Sequence, residues 1–381
     1  MAITGMRVRH AYAELAAPMR SRGNVGYTEF FHTGSERQRI SAVELVSDSG
    51  CLGVTLLPGG PDVVEAFLEA IAWPTLRAQE AHRVRHLCAA LLARAAESDD
   101  PVPHGLIRRL EFALWDLAAR EAGMPLYRWL GGGPQRRVPV YAGGGSLCWN
   151  PLPLLVEETE QLLARGFRAL KIKIGHGPDE DVEIVRVLRE VAGPDVAMMV
   201  DANRAYDVAG ALRLLPVLAD LGYRWFEEPL GEEDPAAWRR LRAATPVAIA
   251  GGEGFHSLAQ VAQAAAEEML AIYQCDAGAM GLVELLAVAS LVGERGCRLT
   301  PHSCNNAIGF VVALHLHLAI PNGELQEYET FANPFVQEIF TEPFAVEEGF
   351  VTVPERPGLG VDLNGATLRR YGVGERRFGA T

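Results

Sequence analysis

Lysine is almost missing from this chain. Of its 35 basic residues only Lys171 and Lys173 are lysines, and the rest are arginine. Positive charge is in deficit as well, since 48 acidic residues bring the formal net charge to −13. A surface of that sign repels phosphate backbones, and no basic run makes a local exception, which argues against nucleic acid as a partner. Long apolar runs are also absent. No segment offers the roughly 18 uncharged apolar residues that a membrane-spanning helix needs. The N-terminal MAITGMRVRH has no apolar stretch followed by a small-residue cleavage site. The expectation is a cytoplasmic protein without a membrane partner. The six cysteines, Cys51, Cys88, Cys148, Cys275, Cys297 and Cys304, form no CxxC pair, so reduced and mostly buried thiols are expected. A GxSxG elbow, a Walker loop and an HExxH helix are lacking too, which sets aside the chemistries those motifs support.

What is present is a chain of 381 residues, 49% hydrophobic, long enough for one large core or two moderate ones. From about residue 138, β-rich runs alternate with amphipathic segments. The candidate strands are VPVYAG (from Val138), LKIKIG (Leu170), AMMVDAN (Ala197), RWFEEP (Arg224), VAIAGGE (Val247), AIYQCDA (Ala271), CRLTPHS (Cys297) and ELQEYE (Glu324). Between them, segments such as LPLLVEETEQLLARG (from Leu152) and DVAGALRLLPVLADLG (from Asp207) carry apolar residues at helical spacing and exit through glycine. Repeated strand–helix units imply a parallel sheet, and eight strands suggest closure into a β/α barrel. An open doubly wound sheet would show GxGxxG after its first strand, and none occurs.

Residues 1–130 read differently. The first 60 suggest short strands with glycine-rich turns. Helical periodicity follows in VEAFLEAIAW (from Val64), AHRVRHLCAALLARAAE (Ala81) and LIRRLEFALWDLAAREAG (Leu106). An α+β domain therefore precedes the barrel, with WLGGGPQRRVPV (from Trp129) as the linker.

Polar residues gather where the candidate strands end. Asp201, Glu227 and Glu253 recur at 26-residue intervals, one βα unit each, so they would stand together on the carboxyl rim of a barrel. A single acid there is ordinarily a helix cap. Three in register repel one another unless a cation holds them, and oxygen-only ligands suit Mg²⁺. Lys171 and Lys173 would share one face of the second strand. Arginine matches lysine in charge but does not release a proton in proteins, so a lysine-only position points to acid–base work. Such a lysine would need its pKa lowered, by the second ammonium and by a nearby divalent cation. Asp276 and His302 end the next two strands, where a carboxylate on one ring nitrogen would fix the tautomer of the other. Glu327 ends the eighth strand, with Glu324 as the competing choice. Asn203 would either reach into the mouth or cap a helix. His315 and His317, inside an apolar run, read as buried, and His176, in GHGPDED, as a solvated turn residue.

Taken in order, KIK at Lys171–Lys173, DAN at Asp201, EEP at Glu227, GGE ending at Glu253, Asp276 and PHS at His302 resemble the mandelate racemase subgroup of the enolase superfamily. ALWDLAAREAGMPLYRWLGG (from Ala113) is similar to that family's junction between capping domain and barrel. The resemblance implies a (β/α)7β modified TIM barrel over residues 138–345 and an N-terminal α+β capping domain, completed by residues from about 346 to 381. It implies Mg²⁺ held by Asp201, Glu227 and Glu253. Lys173 would be one acid–base, and His302 with Asp276 the other. Lys171 would lie beside the substrate carboxylate, and Glu327 would be the hydrogen-bond partner of the enolate. The histidine would set the chain apart from dipeptide epimerases and cycloisomerases with a lysine in its place. The implied reaction is dehydration of an acid sugar to a 2-keto-3-deoxy acid. The alternatives are racemisation or epimerisation of a 2-hydroxy acid and, of another class, a non-catalytic metal-binding barrel. Arg20, Arg22, Tyr27 and His32 in the capping loops would read the distal end of the substrate, and a homo-oligomer is expected.

Overall fold

Apolar residues alternate with polar ones along ITGMRVRHAYAE, and in the computed structural model this run is strand β1 (Ile3–Glu14), buried on one face. The structure describes residues 1–15, 37–98, 104–230 and 234–379. β1 pairs antiparallel with β2 (Arg37–Ser47), which pairs with β3 (Leu52–Pro58). These strands correct the expectation of short ones: β1 spans 12 residues and β2 spans 11. The helical pattern from Val64 is interrupted, with a π-helical turn at Leu68–Ala72 between Pro61–Phe67 and Trp73–Leu76.

The sheet rests on the helix His104–Glu121. Gly53 lets the two approach, since a Cβ atom there would collide with the Ala113 carbonyl oxygen. Asp116 of that helix, fully buried, accepts hydrogen bonds from Val54 N in β3 at 2.9 Å and from Leu359 N at 2.7 Å, so one carboxylate ties the sheet to the C-terminal segment.

The second sheet is the barrel. Its strands are β4 (Arg137–Ala142), β5 (Ala169–Lys173), β6 (Ala197–Asp201), β7 (Trp225–Glu227), β8 (Ala248–Gly251), β9 (Ile272–Tyr273), β10 (Arg298–Leu299) and β11 (Gln326–Tyr328). They run parallel in the order β10-β9-β8-β7-β6-β5-β4-β11. A bridge from Leu299 to Gly323, at the approach to β11, brings the two ends of the sheet together. A helix follows each strand from β4 to β10: Leu152–Ala164, Pro178–Ala192, Val208–Asp220, Pro235–Ala243, Leu258–Ala266, Ala277–Gly293 and Ala307–Ala319. Asp207, Asp234, Ser257, Asp276 and Asn306 cap the starts of the last five by accepting backbone N–H groups. β12 (Phe350–Thr352) adds antiparallel to β4, and β13 (Gly372–Gly379) pairs with β1. All eight sequence runs form barrel strands, although β9 and β10 pair over only two residues each, because the rest of those runs leaves the ladder at the carboxyl rim.

The period of two along each strand sorts the residues. Tyr141, Ala169, Met199, Trp225, Ala250, Ile272 and Leu325 pack together inside the barrel. Leu170, Ile172, Met198, Val200, Phe226 and Ile249 face outward into the core beneath the helices. Lys171, Lys173, Asp201, Glu227 and Glu327 continue the inward series above that apolar plug.

His315 joins three segments. Its Nδ1 accepts from Tyr127 N and its Nε2 donates to the Leu359 carbonyl, both at 3.1 Å, so the ring is held neutral. Burial pushes its pKa down to about 4, and the same holds for His317. The folded pKa lies below the unfolded value near 6.5, so the stability His315 supplies is complete above pH 6.5 and is lost as pH falls toward 4, by at most about 1.4 kcal/mol per pH unit. The stability difference between wild type and His315→Gln should therefore shrink across that window in urea titrations; a constant difference would contradict the assignment.

Candidate active site

Strand register brings the charged residues together. Lys173 is opposite Asp201 on β6, and Asp201 is opposite Glu227 on β7. Lys173 Nζ donates to Asp201 Oδ2 at 2.6 Å and to Asn203 Oδ1 at 2.7 Å. Lys171 Nζ donates to Glu227 Oε1 at 2.7 Å and lies 3.3 Å from Asp201 Oδ2 and 3.5 Å from Glu327 Oε1. Each ammonium also faces an aromatic ring, Tyr141 for Lys171 and Trp149 for Lys173.

The protein's own charges favour protonated lysines. Burial is the largest single influence and would lower both lysines, but the neighbours together outweigh it, Glu227, Tyr141, Glu327 and Asp201 for Lys171 and Asp201, Glu253 and Glu227 for Lys173, and both pKa values rise. The second ammonium does lower Lys173, by less than Asp201 raises it. Among the protein's own groups, then, the lysines are firmly protonated. The carboxylates share the strain: burial and the neighbouring Asp201 lift Glu227 to about 7, while the two ammoniums hold Asp201 well below the usual range against the effect of burial.

On the other side of the site, His302 Nδ1 and Asp276 Oδ2 are 2.8 Å apart, as the strand-end reading expects. His302 Nε2 lies 3.5 Å from Glu253 and 3.7 Å from Glu327. Desolvation pulls the imidazole down, but Glu253, Glu327 and Asp276 prevail and lift it to about 10. Glu327 accepts from Gly144 N at 3.0 Å and from Ser303 N at 3.3 Å. Although buried, it is held at about 2 by Lys171, His302 and Lys173, so it donates a hydrogen bond only after taking up a proton. Glu324, the competing choice, pairs with Arg224 and Arg298 at the start of the strands and is no part of this group. Asn203 belongs to the site. It adopts φ +43°, and Arg204 (φ +65°) and Glu228 (φ +37°) share this strained left-handed backbone on the same rim.

Several contributors escape sequence reasoning. Gln274 donates to Glu227 Oε2 at 2.6 Å, and the Trp225 indole donates to the same oxygen at 3.2 Å. The inward parity of Ile272 would have exposed Gln274. Glu228 is buried, with Oε1 on Arg204 at 2.9 Å. His176 is not solvated: its side chain is 6% exposed, in a loop folded around Asp181, which accepts from Gly175 N and Gly177 N. His315 is buried and His317 half-buried, as their apolar run suggests. The described cysteines are all free thiols, four of them buried. Arg20, Arg22, Tyr27 and His32 lie outside the described residues. Among the described residues, no helix is long and apolar enough to cross a membrane.

The donor set suits a hard cation. Asp201, Glu227 and Glu253 offer only carboxylate oxygens, and burial together with the neighbouring acids, Asp201 for Glu227 and Glu253 for Glu228, raises both of those glutamates. Among the described residues these side chains are not drawn into a closed cage; the lysine ammoniums are interleaved with them, and a cation would take their place on the oxygens.

Comparison with known proteins agrees with this architecture. Residues 154–367 match the family described as enolase C-terminal domain-like. The D-galactarolactone cycloisomerase of Agrobacterium fabrum is 34% identical over 273 residues, covering 69% of this chain and 72% of that protein. The arabinonate dehydratase of Saccharolobus solfataricus is 29% identical over 338 residues, 87% of this chain and 90% of that one. The crystal structure of L-talarate dehydratase from Polaromonas sp. JS666, complexed with Mg and L-glucarate, superposes with a TM-score of 0.83 at 25% identity, covering 100% of this chain and 99% of that one. Fold, rim and relatives together identify the chain as a member of the enolase superfamily, with the capping sheet and barrel of its mandelate racemase-like enzymes.

Proposed function

We propose that the protein removes the proton next to a carboxylate in a Mg²⁺-dependent reaction, and that its reaction is dehydration of an acid sugar to a 2-keto-3-deoxy acid. The observation that carries this reading is the placement of two proton-carrying groups, Lys173 and the His302–Asp276 pair, around one cluster of buried carboxylates. The likeness to arabinonate dehydratase and to a Mg-complexed talarate dehydratase supports it.

Asp201, Glu227 and Glu253 would hold the cation, which supplies positive charge where the substrate carboxylate becomes more negative. The Lys171 ammonium, buried beside Glu227, would pair with the same carboxylate and keep it in one orientation. Lys173 Nζ would take the α-proton once the charge holding it protonated is offset. Asn203 Oδ1, 2.7 Å away, holds that nitrogen in place. His302, lifted to about 10 and tied through Nδ1 to Asp276, is the acid on the other side. Its Nε2 proton would pass to the β-hydroxyl, the C–O bond would break, and water would leave; the enol then tautomerises to the 2-keto acid. Glu327 would face the developing enolate.

A second reading is favoured by the likeness to D-galactarolactone cycloisomerase. The same proton is removed, but a ring oxygen departs in place of water and the product is an isomer of the substrate. Return of the proton to the opposite face would give racemisation.

Wild-type protein with Mg²⁺ should convert at least one mono- or diacid sugar to a semicarbazide-reactive 2-keto acid with loss of one water. Lys173→Ala and His302→Ala should each slow this by about a hundredfold or more. Turnover unaffected by both substitutions would sink the reading, and α-deuterium exchange with an isomeric product would move it to cycloisomerase or racemase. Independently of turnover, Mg²⁺ should raise the thermal midpoint of wild type, and Glu253→Gln should blunt that rise; an equal rise in both would remove Glu253 from the cation site.

A further inference from the structure

The helix His104–Glu121 crosses from the capping sheet to the barrel, and most of its polar side chains there have direct partners. Arg108 pairs with Glu284 of the barrel helix Ala277–Gly293. Glu111 accepts from the Trp115 indole at 2.9 Å and from Val283 N at 2.6 Å. Thr55 of β3 donates to the Arg109 carbonyl at 2.6 Å, which fixes the backbone at that residue. The Arg109 side chain is different. No carboxylate oxygen among the described residues lies within 4 Å of its guanidinium, yet it is desolvated, and the acid that stabilises its charge is Asp276.

The position of that guanidinium is set by a missing side chain. Gly278 follows Asp276 by two residues, and a Cβ atom on it would stand 2.5 Å from Arg109 Nε and 2.9 Å from Nη2. Glycine therefore makes the room in which a cation from the capping half of the chain lies against the loop that carries Asp276. The Asn306 amide crowds the same point, its Nδ2 2.8 Å from that Cβ position and buried without an acceptor among the described residues. Asp276 accepts at both of its oxygens, Oδ1 from Ala279 N at 2.9 Å and Oδ2 in the 2.8 Å contact with His302 Nδ1. Positive charge behind such a carboxylate keeps it ionised and facing the imidazole.

We propose that Arg109 is a positioning residue for the reaction, acting from the capping domain across Gly278 to hold Asp276 as the anion that orients His302. The acid–base pair is then completed only by a docked capping helix, and Gly278 is selected for the space it leaves. This rests on the role proposed above for His302, so its test includes a measurement made without substrate.

The probe is the hydrogen-bonded ring proton of His302, observed by NMR in the full-length, ¹⁵N-histidine-labelled protein with Mg²⁺ and assigned by its loss in His302→Asn. Arg109→Leu and Gly278→Ala should both move this resonance upfield, the first by removing the charge and the second by displacing it. Arg109→Lys should restore it toward the wild-type position. With a substrate in hand, Arg109→Leu should lower kcat about tenfold and change KM by less than about twofold. Should Arg109→Leu fail to fold, Gly278→Ala carries the test alone. A resonance unmoved in a folded variant of either kind overturns the proposal. If no acid sugar is turned over by wild type, the functional reading fails, and the resonance still reports on Arg109.

Discussion

Charge balance inside the barrel is the constraint on which the rest of the structure depends. Lys171 and Lys173 are buried between Asp201, Glu227 and Glu327 at distances that leave no room for bulk water, and every ionisation there is set by its neighbours. Removing Asp201 would weaken the hold on both ammoniums at once, and removing either lysine would leave acids facing one another. Backbone donors from Gly144 and Ser303 fix Glu327 within this arrangement. A cation added to it would weaken the hold of the carboxylates on the lysines, which is the change a lysine needs before it can accept a proton.

The fold reaches this balance through parity. Along β5 the inward residues are Ala169, Lys171 and Lys173, and along β6 they are Ala197, Met199 and Asp201, so each strand begins apolar and ends charged. The apolar half plugs the barrel and the charged half forms a rim. Because adjacent strands are in register, residues 28 apart in sequence, such as Lys173 and Asp201, become ion-pair partners.

Much of this was legible in the sequence because barrels encode their site periodically. The 26-residue recurrence of Asp201, Glu227 and Glu253, the isolated lysines and the Asp276–His302 spacing each have a direct structural counterpart. What was hidden depends on distance rather than order. The hold of the carboxylates on the two ammoniums follows from 2.6–2.7 Å contacts that no pattern reveals. Gln274 shares an inward face with Ile272 but resembles any strand polar residue. Arg109 is one of many arginines, and only the space over Gly278 singles it out. Strands were expected in this region, but the length of β1 and β2 was not, because both interleave arginine with apolar residues.

Scarcity of lysine makes the central claim directly measurable. Labelling with ¹⁵Nζ-lysine gives a spectrum with two side-chain signals, one for each residue of the site. Titrated without Mg²⁺, both ammoniums should hold their protons beyond the usual lysine range. With saturating Mg²⁺, the Lys173 signal should titrate at distinctly lower pH, while the protein stays folded. Two signals that ignore Mg²⁺, in a sample where binding of the ion is shown independently, would contradict the account, because the carboxylates that govern the lysines could not then be those that take the cation.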